Sequence, residues 1–218
     1  MFDYEALANA PLEREPYEYV ILRGFVKSAA LAEINRDYPH IEHAGSFPLS
    51  SLQFGPGFQA MVDALESDAF RKAFEDKFQI DLSNRPTTIT VRGRSDTRDG
   101  HIHCDSASKI ITVLLYMNAE WDDSGGKLRV LRSRDDIDDV AAEVPPAGGT
   151  LLAFLRSDHS WHGHLQFIGE RRVIQFNWVT HDRSQRFALF RHRLSASVKQ
   201  MLSFGKQKDL APDRSDAM

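Results

Sequence analysis

The sequence contains a single cysteine, Cys104, so no disulfide can form within the chain and a disulfide-stabilised scaffold is excluded. Positive charge is not in excess: 27 Lys and Arg against 31 Asp and Glu give a formal net charge of -4. A nucleic-acid-binding surface or a polybasic membrane anchor would need a concentrated positive field, so neither partner is expected. The longest uncharged run, residues 44–62, contains Pro56 and several glycines and cannot form a membrane-spanning helix.

The N-terminus also lacks a signal-peptide pattern, because Asp3 and Glu5 stand where positive charge and then an apolar stretch would be needed. We therefore expect a cytoplasmic protein. Its 218 residues, 42% of them hydrophobic, are enough to bury one sizeable core. The sequence predicts one domain over residues 1–204 and a disordered tail over residues 205–218, which are polar.

Within that domain, residues 1–85 are predicted to form an N-terminal α/β support with a strand, a helix and then two helices between residues 57 and 78. Residues 86–182 change to short β-like runs separated by turn signals, which is typical of an antiparallel sandwich or barrel. Residues 183–204 carry apolar side chains at helical spacing and predict a closing helix.

The motif "HCD" places His103 and Asp105 two residues apart on a predicted strand, so their side chains project from the same face. Alone, this spacing is a weak indication of a metal site. The later segment "SWHGH" supplies a third candidate ligand, either His162 or His164, from a sequence-distant strand. Two histidines and one carboxylate are the ligand set of non-haem Fe(II) oxygenases, which keep the opposite three coordination positions open.

A 2-oxoglutarate-dependent enzyme also needs a cation for the far carboxylate of its cosubstrate. Arginine suits this role because its planar fork pairs bidentately with a carboxylate and keeps its charge when buried. The segment "GERRVIQFNW" offers Arg171 and Arg172 on the strand after the histidines. Strand alternation puts Arg172 on one face with Ile174, Phe176 and Trp178, and Arg171 on the other, so only one arginine can reach the pocket.

Taken together, the order and spacing of these residues resemble the Fe(II)- and 2-oxoglutarate-dependent oxygenases of the prolyl-hydroxylase-like superfamily. The resemblance covers roughly residues 88–179 and is carried by Gly100, His103, Asp105, Thr112, Tyr116, Asn118, Trp121, Gly125, Gly126, Pro146, Gly148, Phe154, Ser157, His162, Arg172 and Trp178. It implies a mainly β fold with flanking helices, built on a double-stranded β-helix or jelly roll. It also implies Fe(II), 2-oxoglutarate and O2 as cofactors, with His103, Asp105 and His162 as the iron ligands.

The same resemblance assigns the other side of the pocket. The cosubstrate-binding cation lies nine to ten residues after the distal histidine and six before a tryptophan, intervals that favour Arg172 ahead of Trp178. Tyr116 matches a tyrosine that hydrogen-bonds the cosubstrate, and Leu114 lines the same face. Trp178 is also placed in the cosubstrate site, as part of its apolar lining. Phe176 then replaces a hydroxyl that some relatives use to hold the cosubstrate.

Substrate contacts are placed at Arg92, Arg94 and His164, near the predicted metal-binding strand. The implied function is hydroxylation of a C–H bond in a small molecule, a sugar or a peptide side chain, with release of succinate and CO2. Two alternatives stay open: a cupin-like metal-dependent isomerase or dioxygenase that needs no 2-oxoglutarate, and a non-catalytic binding module on the same fold. The oligomeric state is not readable from the sequence.

Overall fold

The computed structural model describes residues 1–119, 121 and 125–180. Its α-helices are α1 (Tyr4–Asn9), α2 (Ser28–Arg36), α3 (Pro56–Leu65) and α4 (Asp68–Phe78). Its strands are β1 (Tyr19–Leu22), β2 (Phe47–Pro48), β3 (Thr87–Ser95), β4 (Lys109–Tyr116), β5 (Leu128–Leu131), β6 (Val140–Val144), β7 (Leu151–Leu155), β8 (His162–His164) and β9 (Gly169–Val179). The predicted closing helix at 183–204 and the tail at 205–218 lie outside the described residues.

The helices α3 and α4 occupy the segment in which two helices were predicted. Pro56 stands in the first turn of α3, where its missing N–H costs no hydrogen bond. The side chain of Ser67 caps α4 by accepting a hydrogen bond from the backbone N–H of Phe70. Gln79 ends α4 in the left-handed conformation at φ 53°. The break between the two helices therefore lies at Ser67.

The strands form two antiparallel sheets, which confirms the mainly β, jelly-roll fold class. The larger sheet has six strands in the order β1-β7-β4-β9-β3-β2, and the smaller has three in the order β6-β5-β8. Strand β6 begins within the acidic stretch of residues 134–143, which carries no alternating apolar pattern. Its side chains are mostly half-buried, so it has no strong apolar signature.

Two apolar cores lie on the two faces of the large sheet. On one face, side chains of α3 and α4 pack against Ile174, Phe176 and Trp178 of β9. On the other face, Leu114 and Tyr116 of β4, with residues of β7 and β9, meet residues of the small sheet. The large sheet is thus covered on both sides, and the space between the two sheets holds the site described next. Within the described ranges, no helix has both the length and the apolar character needed to cross a membrane.

Candidate active site

Three of the predicted ligands, His103, Asp105 and His162, lie together. One ligand atom from each residue can be chosen so that all three atoms are within 4.8 Å of one another. His103 and His162 are direct cross-strand partners that exchange both backbone hydrogen bonds, each 3.0 Å long. Because facing residues of an antiparallel pair project to the same side, this pairing brings the two imidazole rings to a centroid distance of 4.3 Å.

Both imidazoles are fixed by a backbone carbonyl. His103 Nδ1 lies 2.9 Å from the carbonyl oxygen of His101, and His162 Nδ1 lies 2.9 Å from that of Ser160. A carbonyl can only accept, so each Nδ1 carries the proton and each Nε2 keeps a lone pair for a metal. Burial, with the nearby His103, lowers the pKa of His162 to about 4, so this ring is neutral, as a metal ligand must be.

Asp105 is the carboxylate of the cluster and is almost fully buried. Lys109 Nζ lies 2.6 Å from its Oδ1, and Thr112 Oγ1 lies 2.5 Å from its Oδ2. Burial alone would raise the pKa of Asp105, but the charge and hydrogen bond of Lys109 and the hydroxyl of Thr112 hold it below its usual value. The carboxyl group is therefore ionised. Two neutral imidazoles and a carboxylate are a donor set that fits Fe(II).

A cavity of about 300 Å³ opens beside this cluster, between the two sheets. Its apolar lining comes from Leu114, Leu128 and Val173. Its polar lining includes Ser46, Arg92, Asp99, His164, Arg171 and Gln175. The volume is that of a small-molecule site, so the cluster faces a space that can hold further ligands.

Arg171 and Tyr116 are buried on the same face of the large sheet as this cavity. The guanidinium carbon of Arg171 lies 5.5 Å from the centre of the Tyr116 ring, and Arg171 Nε donates to the carbonyl of Gly126 at 2.9 Å. Among the described residues, neither Arg171 Nη2 nor the Tyr116 hydroxyl makes a hydrogen bond of regular geometry, although the two side chains attract each other electrostatically. Unsatisfied buried polar atoms are rare, and a cation beside a hydroxyl fits a carboxylate. These residues therefore fit 2-oxoglutarate.

The prediction that Arg172 reaches the pocket is wrong. Arg172 Nε pairs with Glu170 at 3.0 Å, and its guanidinium lies over the Tyr38 ring and within 3.4 Å of the Asn35 backbone carbonyl. Residues 172, 174, 176 and 178 do share a face of β9, as predicted, but that face is the one covered by the helices. The cavity receives Arg171 instead, nine residues after His162.

The same reversal of face corrects the placement of Trp178 and Phe176. Trp178 stacks on Phe70 of α4 with ring centroids 5.7 Å apart, and it packs against Phe74. Trp178 therefore does not line the cavity and has no contact to offer a cosubstrate. Phe176 likewise contacts Phe70, so its lack of a hydroxyl has no bearing on cosubstrate binding.

Of the remaining predicted site residues, three line the cavity and one does not. Leu114, Arg92 and His164 line the cavity. Burial, with the charge of Arg171, lowers the pKa of His164 to about 4, and its Nδ1 lies 2.8 Å from the carbonyl of Leu165. Arg94 is exposed opposite Glu170 on β9 and is not part of the lining.

Four polar residues of the cavity were not predicted from the sequence as site residues: Ser46, Asp99, Lys109 and Gln175. Lys109 holds Asp105, Asp99 pairs with Arg92 at 2.7 Å, and Gln175 faces the cavity from β9. Gln175 could have been found, because it is directly opposite Leu114 in the β4–β9 pairing and must share its face. Lys109 carried no such signal, since strand alternation places it with the helix-facing residues of β4.

Comparison with known proteins agrees with this geometry. The family model described as "2OG-Fe(II) oxygenase superfamily" matches residues 92–180. By sequence, none of the curated proteins matches the chain.

Three solved structures share the fold. A prolyl-4-hydroxylase from Pseudomonas putida is 17% identical with a TM-score of 0.53, over 82% of this chain and 91% of that one. Prolyl 4-hydroxylase from Phytophthora capsici is 18% identical with a TM-score of 0.57, over 83% of this chain and 66% of that one. A Trichoplax adhaerens prolyl hydroxylase, solved with a hypoxia inducible factor peptide fragment, is 14% identical with a TM-score of 0.51, over 81% and 88%.

At these identities the solved structures establish the fold, and the family model shows a similarity to the superfamily over residues 92–180. The model spans the segment that contains the histidine and aspartate cluster, the cavity-lining strands and Arg171. Residues 92–180 of this chain are thus similar to the 2OG-Fe(II) oxygenase superfamily, whose cofactors are Fe(II), 2-oxoglutarate and O2.

Proposed function

We propose that the chain is a 2-oxoglutarate-dependent hydroxylase whose iron is held by His103, Asp105 and His162. The distal carboxylate of 2-oxoglutarate would bind Arg171 and the hydroxyl of Tyr116. The observation that carries this proposal is the pair of buried, unsatisfied polar atoms on Arg171 and Tyr116, on the cavity side of the large sheet and beside the metal cluster. A metal site that needed no cosubstrate would have no use for a buried guanidinium there.

When bound, iron and 2-oxoglutarate supply the activation of O2 and the hydroxylation of a C–H bond, with release of succinate and CO2. The chain's own part is to bind and orient. The carbonyl of Gly126 fixes Arg171 through its Nε, which leaves Nη2 for the carboxylate. Leu114, Leu128 and Val173 form an apolar wall that excludes water from the space between the two sheets.

The substrate would occupy the part of the cavity bordered by Arg92, Asp99 and His164. These groups are an ion pair and a neutral imidazole, so they favour a substrate with hydrogen-bonding groups near the oxidised carbon. The Trichoplax adhaerens enzyme was solved with a peptide fragment. A peptide side chain is thus the first substrate class to test, before sugars and other small molecules.

The test is an anaerobic titration of the Fe(II)-loaded protein with 2-oxoglutarate, followed through the metal-to-ligand charge-transfer absorption in the visible range. We expect a saturable band for the native protein and no band for His162→Ala, which removes one ligand. Iron bound by the native protein with no band on addition of 2-oxoglutarate would reject the hydroxylase and favour the cosubstrate-free metalloenzyme. A band followed by succinate formation only when a peptide is present would identify the substrate class.

A further inference from the structure

Strand β4 contains a β-bulge that changes the direction of Lys109. Lys109 pairs with Val179 of β9 while Ile111 pairs with Trp178, so Ile110 is an extra residue with no partner of its own. In the regular part of the strand, even-numbered residues such as Thr112 face the cavity and odd-numbered ones face the helices. Without the bulge, Lys109 would face the helices.

The bulge reverses this pattern at the start of the strand. Lys109 lines the cavity with its side chain only 10% exposed, and Ile110 packs against the helix-side core. Bulges beside active sites commonly re-aim a side chain in this way. The ammonium group is delivered to Asp105 Oδ1 at 2.6 Å, in a pair whose carboxylate side chain is 8% exposed.

A buried ion pair of this kind is a poor stabilising device, because desolvation of both charges offsets most of their attraction. What the pair does achieve is orientation, since Lys109 holds one oxygen of Asp105 and Thr112 holds the other. A carboxylate held at both oxygens cannot rotate, and its remaining lone pairs have fixed directions.

We propose that Lys109 is a positioning residue of the metal centre, turned toward Asp105 by the bulge at Ile110. This inference rests on the proposed function in taking Asp105 as an iron ligand. Held by Lys109 and Thr112, the carboxylate presents one oxygen to the metal. A carboxylate fixed in this way would keep its lone pairs aimed at the metal, and 2-oxoglutarate and O2 would take the positions that the three protein ligands leave open.

The experiment measures Co(II) affinity by competition with a chelator, which needs no turnover. Lys109→Met is expected to weaken Co(II) binding by about 10- to 100-fold, the usual effect of removing a group that orients a metal ligand. Lys109→Arg keeps the charge and the donors and is expected to restore most of the affinity. Lys72→Met, at an exposed position on α4, is the matched control and is expected to bind Co(II) like the native protein.

The direction in which Lys109→Met changes the Co(II) affinity distinguishes a positioning role of Lys109 from a purely electrostatic one. If the ammonium only balanced the charge of Asp105, it would repel a cation, and Lys109→Met would bind Co(II) as tightly as the native protein or more tightly. That result overturns the proposal, as does a lower melting temperature with unchanged Co(II) affinity.

Thr112→Val gives an independent measurement, because it replaces the hydroxyl that holds Asp105 Oδ2 by a methyl group of similar size; the same hydroxyl also lies 3.1 Å from Asn177 Oδ1. It is expected to weaken Co(II) binding as well, and unchanged affinity would count against a two-point hold on the carboxylate. Absence of Co(II) binding by the native protein would reject the metal centre itself, whereas native binding with an unaffected Lys109→Met rejects only the role of Lys109.

Discussion

The two neighbouring arginines of β9 give the sharpest test of the cosubstrate site. Arg171 is 4% exposed and lines the cavity. The Arg172 side chain is 30% exposed and pairs with Glu170 on the side of the sheet that carries the helices. Substitution of each by Met removes the same charge one residue apart on the same strand. Each variant is therefore the control for the other.

The size of the effect follows from burial. Truncating one partner of a buried, hydrogen-bonded charge pair costs about 2–5 kcal/mol of binding free energy. At about 1.4 kcal/mol for each tenfold change, Arg171→Met should raise the Kd for 2-oxoglutarate by at least roughly 30-fold. For Arg172→Met we expect a change of less than about threefold, because exposed ion pairs contribute about 1 kcal/mol or less and this one does not touch the cavity.

Both Kd values come from the anaerobic titration of the Fe(II)-loaded protein described above, with iron content measured for each variant. Equal iron content excludes a loss of metal as the cause of a weaker band. Loss of 2-oxoglutarate binding in Arg172→Met, with near-native binding in Arg171→Met, would refute the assignment of the cavity-facing side of β9. Loss in both variants to the same extent would show that the charge acts at long range and not by contact.

Three further predictions concern the residues around this site. Tyr116→Phe removes a hydroxyl that makes no hydrogen bond of regular geometry among the described residues, so the melting temperature should not change. The Kd for 2-oxoglutarate should rise by about 2- to 12-fold, because one hydrogen bond to the cosubstrate is lost. A lower melting temperature would contradict this prediction. Trp178→Ala should lower the free energy of unfolding in urea by about 3–5 kcal/mol and leave the Kd for 2-oxoglutarate nearly unchanged. Near-native stability with a strongly raised Kd for 2-oxoglutarate would instead place Trp178 in the cosubstrate site. Gly126→Ala places a Cβ 2.8 Å from the Trp121 ring at a φ of +70°, so the free energy of unfolding in urea should fall by about 1–2 kcal/mol. The binding of 2-oxoglutarate should also weaken, because the carbonyl of residue 126 would no longer fix Arg171. Native-like stability of this variant would argue against strain at position 126.

The sequence was informative about the metal cluster because spacing alone determines much of its geometry. His103 and Asp105 share a strand-like segment, and their separation by two residues puts them on one side whatever that side faces. The partner histidine was harder, since His162 and His164 are also two apart and share a face. The resemblance favoured His162, and in the structure His162 is the one that pairs directly with His103.

Strand alternation could not decide between the arginines, because β9 is buried on both faces. The pattern correctly grouped Arg172 with Phe176 and Trp178, but apolar strand faces occur both under helix layers and in pockets. The alternative face carries Val173 and Gln175 beside Arg171, and its mixed polarity suits a ligand cavity better. Tyr116 also indicates this face, since it is directly opposite Val173.

Lys109 shows a second limit of sequence reasoning. A bulge inserts one residue and exchanges the two faces of the strand on one side of it, and the segment "SKIITVLLY" contains no Gly or Pro to mark the place. The bulge appears only when β4 is paired with β9, as a property of two strands and not of one. Predictions based on alternation are therefore least secure at the ends of strands.

The paired backbones of His103 and His162 also have a consequence for the order of folding and for amide exchange. The two residues are far apart in the chain, so closing the loop between them carries an entropic cost before any ligand pair exists. Once the pair has formed, a metal held by both histidines stabilises the paired backbone by RT ln(1 + c/Kd), where c is the metal concentration, so the gain grows with the logarithm of that concentration. Hydrogen exchange at the amides of His103 and His162, which bond to each other's carbonyls, should then slow on addition of Co(II), and this local protection would record occupancy of the site without any assay of turnover.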